Sequence, residues 1–457
     1  MSVLTTKFQP LKSNLLASFT NGVRPDQKLY VQEIKVQQAW ANGLCELGIL
    51  NSKELTLIQD ALKQACLLME ADKFDWREED EDIHMNLERF VNERTQGLGK
   101  KMHAGRSRND LIATTLKLHV SDSASEIMAL ISNLIHAMTE LAEKNLDVII
   151  PGMTHLQNGQ PVRFSHALLG HAWAFKRDLK KFEVVSANAL STMPLGSAAL
   201  SGTTLAINLK QIATTLGFKA TAFNSYDAVG ERDSVIDFLQ AAAHFGTHLS
   251  RLAEDIIYWS SAPVGLVELS PNWSTGSSIM PNKRNPDIAE LARAKASLWI
   301  GDASGVLTLM KGLATSYASD LHESKIPYLR VVQDVKLALT IFAPFVAELS
   351  VKKARAQALL NQGHILATEM ANHLTDQGVP FREAYGMVAG LVELAESKSL
   401  QVHELPLRDI QTLTQGIKAD FLSTLSFEST VEKRKYAGGT ALAEVKQQIA
   451  HLKSPTI

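Results

Sequence analysis

Between Leu111 and Leu146 the chain carries neither glycine nor proline. Through that run Leu116, Leu118, Val120, Ile127, Leu130, Ile131, Leu134, Ile135, Met138 and Leu141 recur at i, i+3 and i+4, the pattern of one apolar helical face. The pattern predicts a helix of ~35 residues, ~50 Å long. Such a helix outruns a small globule and buries its face in an extended bundle. Further long helices are expected at about 162–189, 234–260, 286–310 and 328–360. Ahead of them, Leu29, Val36, Trp40, Leu44 and Leu47 mark an amphipathic helix over 27–47, although Glu33 interrupts its stripe. Asn51-Ser52 then caps a helix over about 53–72, and another follows over 85–94. Pro10, Gly22 and Pro25 break the opening residues, and after Gly363 the helices shorten. No repeat and no convincing sheet pattern is present. The expected fold is all-α, an elongated central bundle of long helices flanked by two smaller helical domains, divided at 1–110, 111–362 and 363–457.

Composition narrows the function. In 457 residues, 45% are apolar and 21% charged, which suits a globular protein with a substantial core. A formal net charge of −2 gives no bulk attraction to nucleic acid or to a membrane surface. No stretch approaches the ~20 apolar residues that span a bilayer. Met1 to Lys7 lack the apolar core of a signal peptide. Cys45 and Cys66 form no disulfide framework and no metal spacing. The expectation is a cytoplasmic protein without metal. The lack of a glycine-rich phosphate loop speaks against nucleotide use, so no cofactor is expected.

Four polar segments carry the chemistry. Ser274 to Asp287 brings two serines, Lys283, Arg284 and Asn285 together on a hinge that Gly276 loosens and Pro281 and Pro286 stiffen. Gly99 to Asp110 gathers lysines, His103, Arg106 and Arg108 in a turn before the longest helix, and arginines at a helix start suit carboxylates. Pro151 to Gln157 places His155 at a break between helices, and Tyr317 to Lys325 is a polar stretch before the last long helix.

The string Gly-Ser-Ser-Ile-Met-Pro-x-Lys-x-Asn-Pro at 276–286 resembles the signature loop of the fumarase/aspartase superfamily. His-x-Gly-Arg-Ser-Arg-Asn-Asp at 103–110 and Asp82-Ile83-His84 resemble the argininosuccinate lyase family within it, as do Ala367 to Ala371 and Gly378 to Tyr385. Pro-Gly-x-Thr-His-Leu-Gln at 151–157 is similar to a second superfamily signature. The resemblance implies a fumarase/aspartase-like fold and β-elimination of argininosuccinate to arginine and fumarate. Ser277 then corresponds to the base, His155 to the acid or acid-orienting group, Glu290 to its partner, and Lys283 to the loop cation. Ser107, Arg108, Asn109, Thr154, Asn285, Tyr317, His322 and Lys325 correspond to substrate-binding positions. The resemblance also implies a homotetramer in which three subunits supply each site.

Two departures stand out. Gly22 lies where many relatives carry a serine, and His322 replaces a glutamine; both positions touch the amino-acid half of the substrate by resemblance. They motivate an alternative, a lyase for a different N-succinyl amine adduct. A second alternative is a non-catalytic, crystallin-like homologue, against which Ser277, His155, Lys283 and Glu290 all stand. An imidazole with the ordinary pKa of ~6.5 makes substrate affinity pH-dependent between about pH 5.5 and 7.5, and that is the expectation for His322. Tyr385 stands where the family usually has histidine, with no role implied.

Overall fold

The computed structural model describes residues 19–454; Pro10 lies outside that range. Helices dominate it. The first long ones are α1 (Tyr30–Glu46) and α2 (Ser52–Glu70). Asn51 caps α2 as read from sequence, accepting the Glu54 N–H at 3.0 Å while the Glu54 carboxylate accepts the Asn51 N–H at 3.0 Å. Next come α3 (Ile83–Arg94) and α4 (Arg108–Lys144), the latter being the uninterrupted run of the sequence. Then follow α5 (Phe164–Ala189), α6 (Asp233–Ser260), α7 (Asp287–Met310) and α8 (Lys325–Ala347).

Two sequence expectations need correction. The chain does contain sheet: Ile149–Thr154 and Gln157–Arg163 form an antiparallel hairpin, β1 and β2. Its turn is His155-Leu156, both left-handed, with φ of 55° and 57°. A two-residue turn of that hand matches the twist of a hairpin, but normally recruits Asn and Gly. No turn residue therefore advertised it. The last long helix is also shorter than expected. It ends at Ala347, three residues after Pro344, because Ser350-Val351 leave the helix to pair with Val267-Glu268. A separate helix, α9 (Lys353–Leu360), follows.

The described chain falls into two compact units. The first comprises the chain up to Ala129 with Lys180–His244 and Ser297–Leu337. Its core includes Trp40, Leu44, Leu62, Leu87 and Leu111, all fully buried. Burying side chains of this size contributes ~1.5–3 kcal/mol each. A row of aromatic contacts ties its long helices together: His119 of α4 to Tyr328 of α8 at 5.5 Å, Tyr328 to Phe238 of α6 at 5.2 Å, and Phe238 to Phe182 of α5 at 5.8 Å.

The second unit comprises Leu130–Leu179, Phe245–Ala296 and the chain from Ala338 onward. In it, Arg163 at the end of β2 is almost wholly buried and reaches Glu428 and Glu432 at 2.5 Å each. The shorter helices α10 (Ala367–Asp376) and α11 (Phe381–Ser397) enclose a separate core of Met370, Leu374, Val388, Leu391 and Ile410.

Candidate active site

The first unit gathers six of the expected substrate-binding residues. Ser107 precedes α4, and its N–H donates to Asp110 Oδ1 at 3.0 Å. Asp110 Oδ2 accepts the N–H groups of Gly196 at 2.9 Å and Ala198 at 2.8 Å, while Asn109 Nδ2 donates to the Ala199 carbonyl at 3.1 Å. The start of α4 is thereby pinned to the loop after Pro194. Burial pushes the Asp110 carboxyl up to about 6, against the pull of these three amides. Gly105 makes the approach possible. Its φ is +75°, and a Cβ there would stand 2.4 Å from Leu205 Cδ1.

Arg108 Nη1 donates to Asp82 Oδ2 at 2.8 Å and Glu81 Oε2 at 3.3 Å. Asp82 is also the N-cap of α3, accepting the Met85 N–H at 2.9 Å. Beneath them, His84 Nδ1 lies 2.7 Å from Glu33 Oε1, with both side chains buried. This explains the acid in the apolar stripe of α1. Burial works against both charges, yet their attraction wins: the His84 imidazole is held above its ordinary range and the Glu33 carboxyl below its own.

From the other end of the sequence, Lys325 opens α8 and places Nζ 2.5 Å from Asp26 Oδ1, with 3% and 1% of the two side chains exposed. A cation so enclosed requires its counter-ion. The Tyr317 hydroxyl hydrogen-bonds His322 Nε2. Its loop is forced by sterics: Ser316 is left-handed at φ 79°, and a Cβ on Gly230 would lie 2.2 Å from the Ser316 carbonyl oxygen. Asp26, Asp82, Arg108, Asn109, Tyr317, His322 and Lys325 line one cavity of about 280 Å³.

The His322 imidazole departs from expectation. Burial, with Lys325 close by, lowers it to about 4. It is neutral across pH 5.5–7.5 and carries no switch there. Its Nδ1 lies 3.6 Å from where a Cβ on Gly22 would stand, so the two departures from the family pattern are neighbours. Gly22 has φ −106° and ψ 0°, so its backbone does not demand glycine.

The second unit holds the remaining candidates. Thr154 and His155 lie exposed at the tip of the hairpin. Consecutive left-handed residues without glycine are costly, and such strain concentrates at functional positions. The signature loop is closed at its base by pairing of Thr275-Gly276 with Arg284-Asn285. Within it, Ser277 Oγ accepts the N–H groups of Met280 at 3.1 Å and Ile279 at 3.3 Å. Donors aimed at a hydroxyl oxygen favour its ionised form. Lys283 and Glu290 are exposed, and Asn285 is half-buried. Among the described residues, His155 and Glu290 of one chain form no ion pair.

The sequence assigns Asp26, Glu33 and Glu81 no role: Glu33 only interrupts a stripe and Glu81 only belongs to an acidic run. An acid in such a setting looks like any solvated charge until its counter-ion, here up to 299 positions away, is placed against it.

Comparison with known proteins places the chain among lyases. A lyase family model matches residues 6–301, and an argininosuccinate lyase C-terminal model matches residues 364–432. The argininosuccinate lyase of Maridesulfovibrio salexigens is 37% identical over 98% of this chain and 97% of its own. That of Lawsonia intracellularis is 38% identical over the same shares. Among solved structures, EDDS lyase in complex with formate superposes with a TM-score of 0.81 at 26% identity, covering 93% of this chain and 85% of its own. The class II fumarase of Schistosoma mansoni does so with a TM-score of 0.73 at 18% identity over 90% of this chain and 93% of its own, a likeness of fold.

Proposed function

The chain belongs to the argininosuccinate lyase family and cleaves argininosuccinate to arginine and fumarate; on that premise we propose which of its residues do the work. The observation that carries the assignment is the cavity where Arg108, Asn109, Tyr317, His322 and Lys325, from distant parts of the sequence, converge. These residues, with Ser107, Thr154 and Asn285, hold the substrate's carboxylate and amino groups. Ser277 removes the proton from the carbon beside a carboxylate. That step places a second negative charge on the carboxylate, which Lys283, Asn285 and the loop N–H groups stabilise because they are oriented in advance. His155 returns a proton to the leaving guanidino nitrogen, directly or through a water, and Glu290 fixes its tautomer. The amides on Ser277 Oγ support its role, since an exposed serine does not ionise near pH 7.

The site is composite, and the protein works as a homotetramer. Exposed apolar positions on α7 support this: Leu298 at 59% and Leu307 at 43% exposure flank Gly301 and Gly305, which have open space above them. A helix face of that kind is buried by self-association. The enzyme operates in the cytoplasm, in arginine biosynthesis, and its domains divide at 1–110, 111–362 and 363–457.

Absorbance detection of fumarate release, with argininosuccinate beside a panel of N-substituted aspartates, tests the substrate assignment. The adjacency of Gly22 and His322 favours one alternative, a different N-succinyl amine adduct. Turnover of another adduct with none of argininosuccinate would establish that alternative.

A further inference from the structure

Next to the substrate cavity is a second, of about 350 Å³, which shares His84 and Arg108 with it and is further lined by Gln37, Glu88, Lys100 and Arg106. Arg106 is 8% exposed. A guanidinium offers five N–H donors and no acceptor. Nη2 donates to Gln37 Oε1. Nε and Nη1 are buried without an acceptor among the described residues.

The carboxylate behind Arg106 already serves other donors. Gln37 Nε2 donates to Glu33 Oε1 at 2.6 Å, Thr115 Oγ1 donates to Glu33 Oε2 at 2.8 Å, and His84 pairs with Oε1 at 2.7 Å. Both oxygens of Glu33 are therefore engaged. Glu88 is the one carboxylate lining this cavity, and it forms no ion pair with Arg106 among the described residues. Lys100 and Arg106 outnumber Glu88 and give the cavity a cationic excess, the charges of Arg108 and His84 being matched by Asp82, Glu81 and Glu33. A buried cation with unfilled donors is a high-energy arrangement that a charged acceptor relieves, and planar forks of this kind match oxyanions.

We propose that this cavity binds a small oxyanion, of carboxylate or phosphate type, and that occupancy weakens substrate binding through the shared Arg108. The proposal rests on the reading of Arg108 as a substrate-binding residue. An anion that draws the Arg108 guanidinium toward itself withdraws it from the substrate cavity without filling that cavity. Inhibition is then partial: apparent KM climbs to a plateau as anion is added, and kcat is unchanged.

The test is fumarate-release kinetics against inorganic phosphate at constant ionic strength, with calorimetric phosphate titration of the same full-length protein. The expected result is a plateau in KM for the wild type. Lys100→Gln is expected to keep its phosphate-free rate and to need about threefold more phosphate for half the effect. In calorimetry, Arg106→Gln is expected to bind phosphate at least ~10-fold more weakly, as loss of a charge-assisted pair implies. Should Arg106→Gln fail to fold, the exposed Lys100→Gln decides alone. Three results overturn the proposal: no saturable phosphate binding, a KM that rises linearly without limit, or equal phosphate sensitivity in wild type and Lys100→Gln. Acetate in place of phosphate separates the two oxyanion sources. Absence of fumarate release would strike the assignment of the substrate instead, and the calorimetric arm would still test the anion site.

Discussion

Replacing His322 by glutamine isolates the consequence of a neutral imidazole in the substrate cavity. With the pKa at about 4, about 3% of the imidazoles are protonated at pH 5.5, against about 90% for an ordinary histidine of pKa ~6.5. Glutamine supplies a donor and an acceptor at fixed charge, as neutral imidazole does. His322→Gln is therefore expected to keep argininosuccinate cleavage within a few-fold. KM against pH is expected to show no step attributable to residue 322 between pH 5.5 and 7.5 in either protein. Stability responds differently. The folded-state pKa lies below the unfolded one, so between pH 6.5 and 4 the unfolded chain binds more protons at this residue. The destabilising contribution of His322 is absent above about pH 6.5, grows as pH falls through that window, and is complete below about pH 4. Removing the imidazole is then expected to shift the midpoint of acid unfolding to lower pH. The assays are steady-state fumarate release across pH and acid titration followed by circular dichroism. A step in the wild-type KM profile between pH 5.5 and 7.5 that His322→Gln abolishes would refute the buried, neutral state. An acid midpoint that does not move would show that the imidazole titrates normally.

Other substitutions address separate parts of the site. Ser277→Ala is expected to lower kcat by at least ~10²–10⁴-fold while calorimetry shows substrate binding retained; turnover within a few-fold of wild type would remove Ser277 from the role of base. Mixing inactive His155→Ala and Ser277→Ala proteins after reversible dissociation is expected to restore part of the activity. No recovery, with mixed tetramers confirmed by mass spectrometry, would mean that each site belongs to one chain. Asp26→Asn leaves Lys325 buried without its counter-ion, at a cost of roughly 3–5 kcal/mol. A lowered urea midpoint is expected, and an unchanged one would show that Lys325 finds another partner.

The long helices were legible because their signal is periodic and local: α4 begins within three residues of the expected start, and α5 and α6 within two and one. Asn51 and Ser52 were legible for the same reason, since a cap acts on the next turn of chain. The hairpin was not. Its turn uses His155 and Leu156 in a left-handed backbone region that non-glycine residues adopt uncommonly, so the residues there do not announce a turn. The split of the last long helix was missed because strand Ser350-Val351 is specified by its partner, Val267-Glu268, more than eighty positions earlier.

The candidate site divides along the same line. Candidate residues that belong to motif strings can be named from the sequence, whereas those that hold another charge cannot. Glu33 shows why. In the sequence it is a flaw in an apolar stripe. In the fold it accepts from Gln37 and Thr115 and forms an ion pair with His84. Beside that network, two of the three Arg106 guanidinium nitrogens keep no acceptor among the described residues. The defect in the helix pattern and the unfilled guanidinium beside the substrate cavity are therefore two ends of one hydrogen-bond network. Glu33→Gln is expected to disturb both ends. It removes the charge that keeps His84 protonated, so the His84 imidazole is expected to titrate below its present range when followed by NMR. It also removes a carboxylate that attracts Arg106, and at a pH low enough to keep His84 protonated this leaves the cavity more cationic. Phosphate affinity is expected to rise in that acidic range. An unchanged affinity, with the His84 titration moved as expected, would show that Arg106 is insulated from the acid behind it.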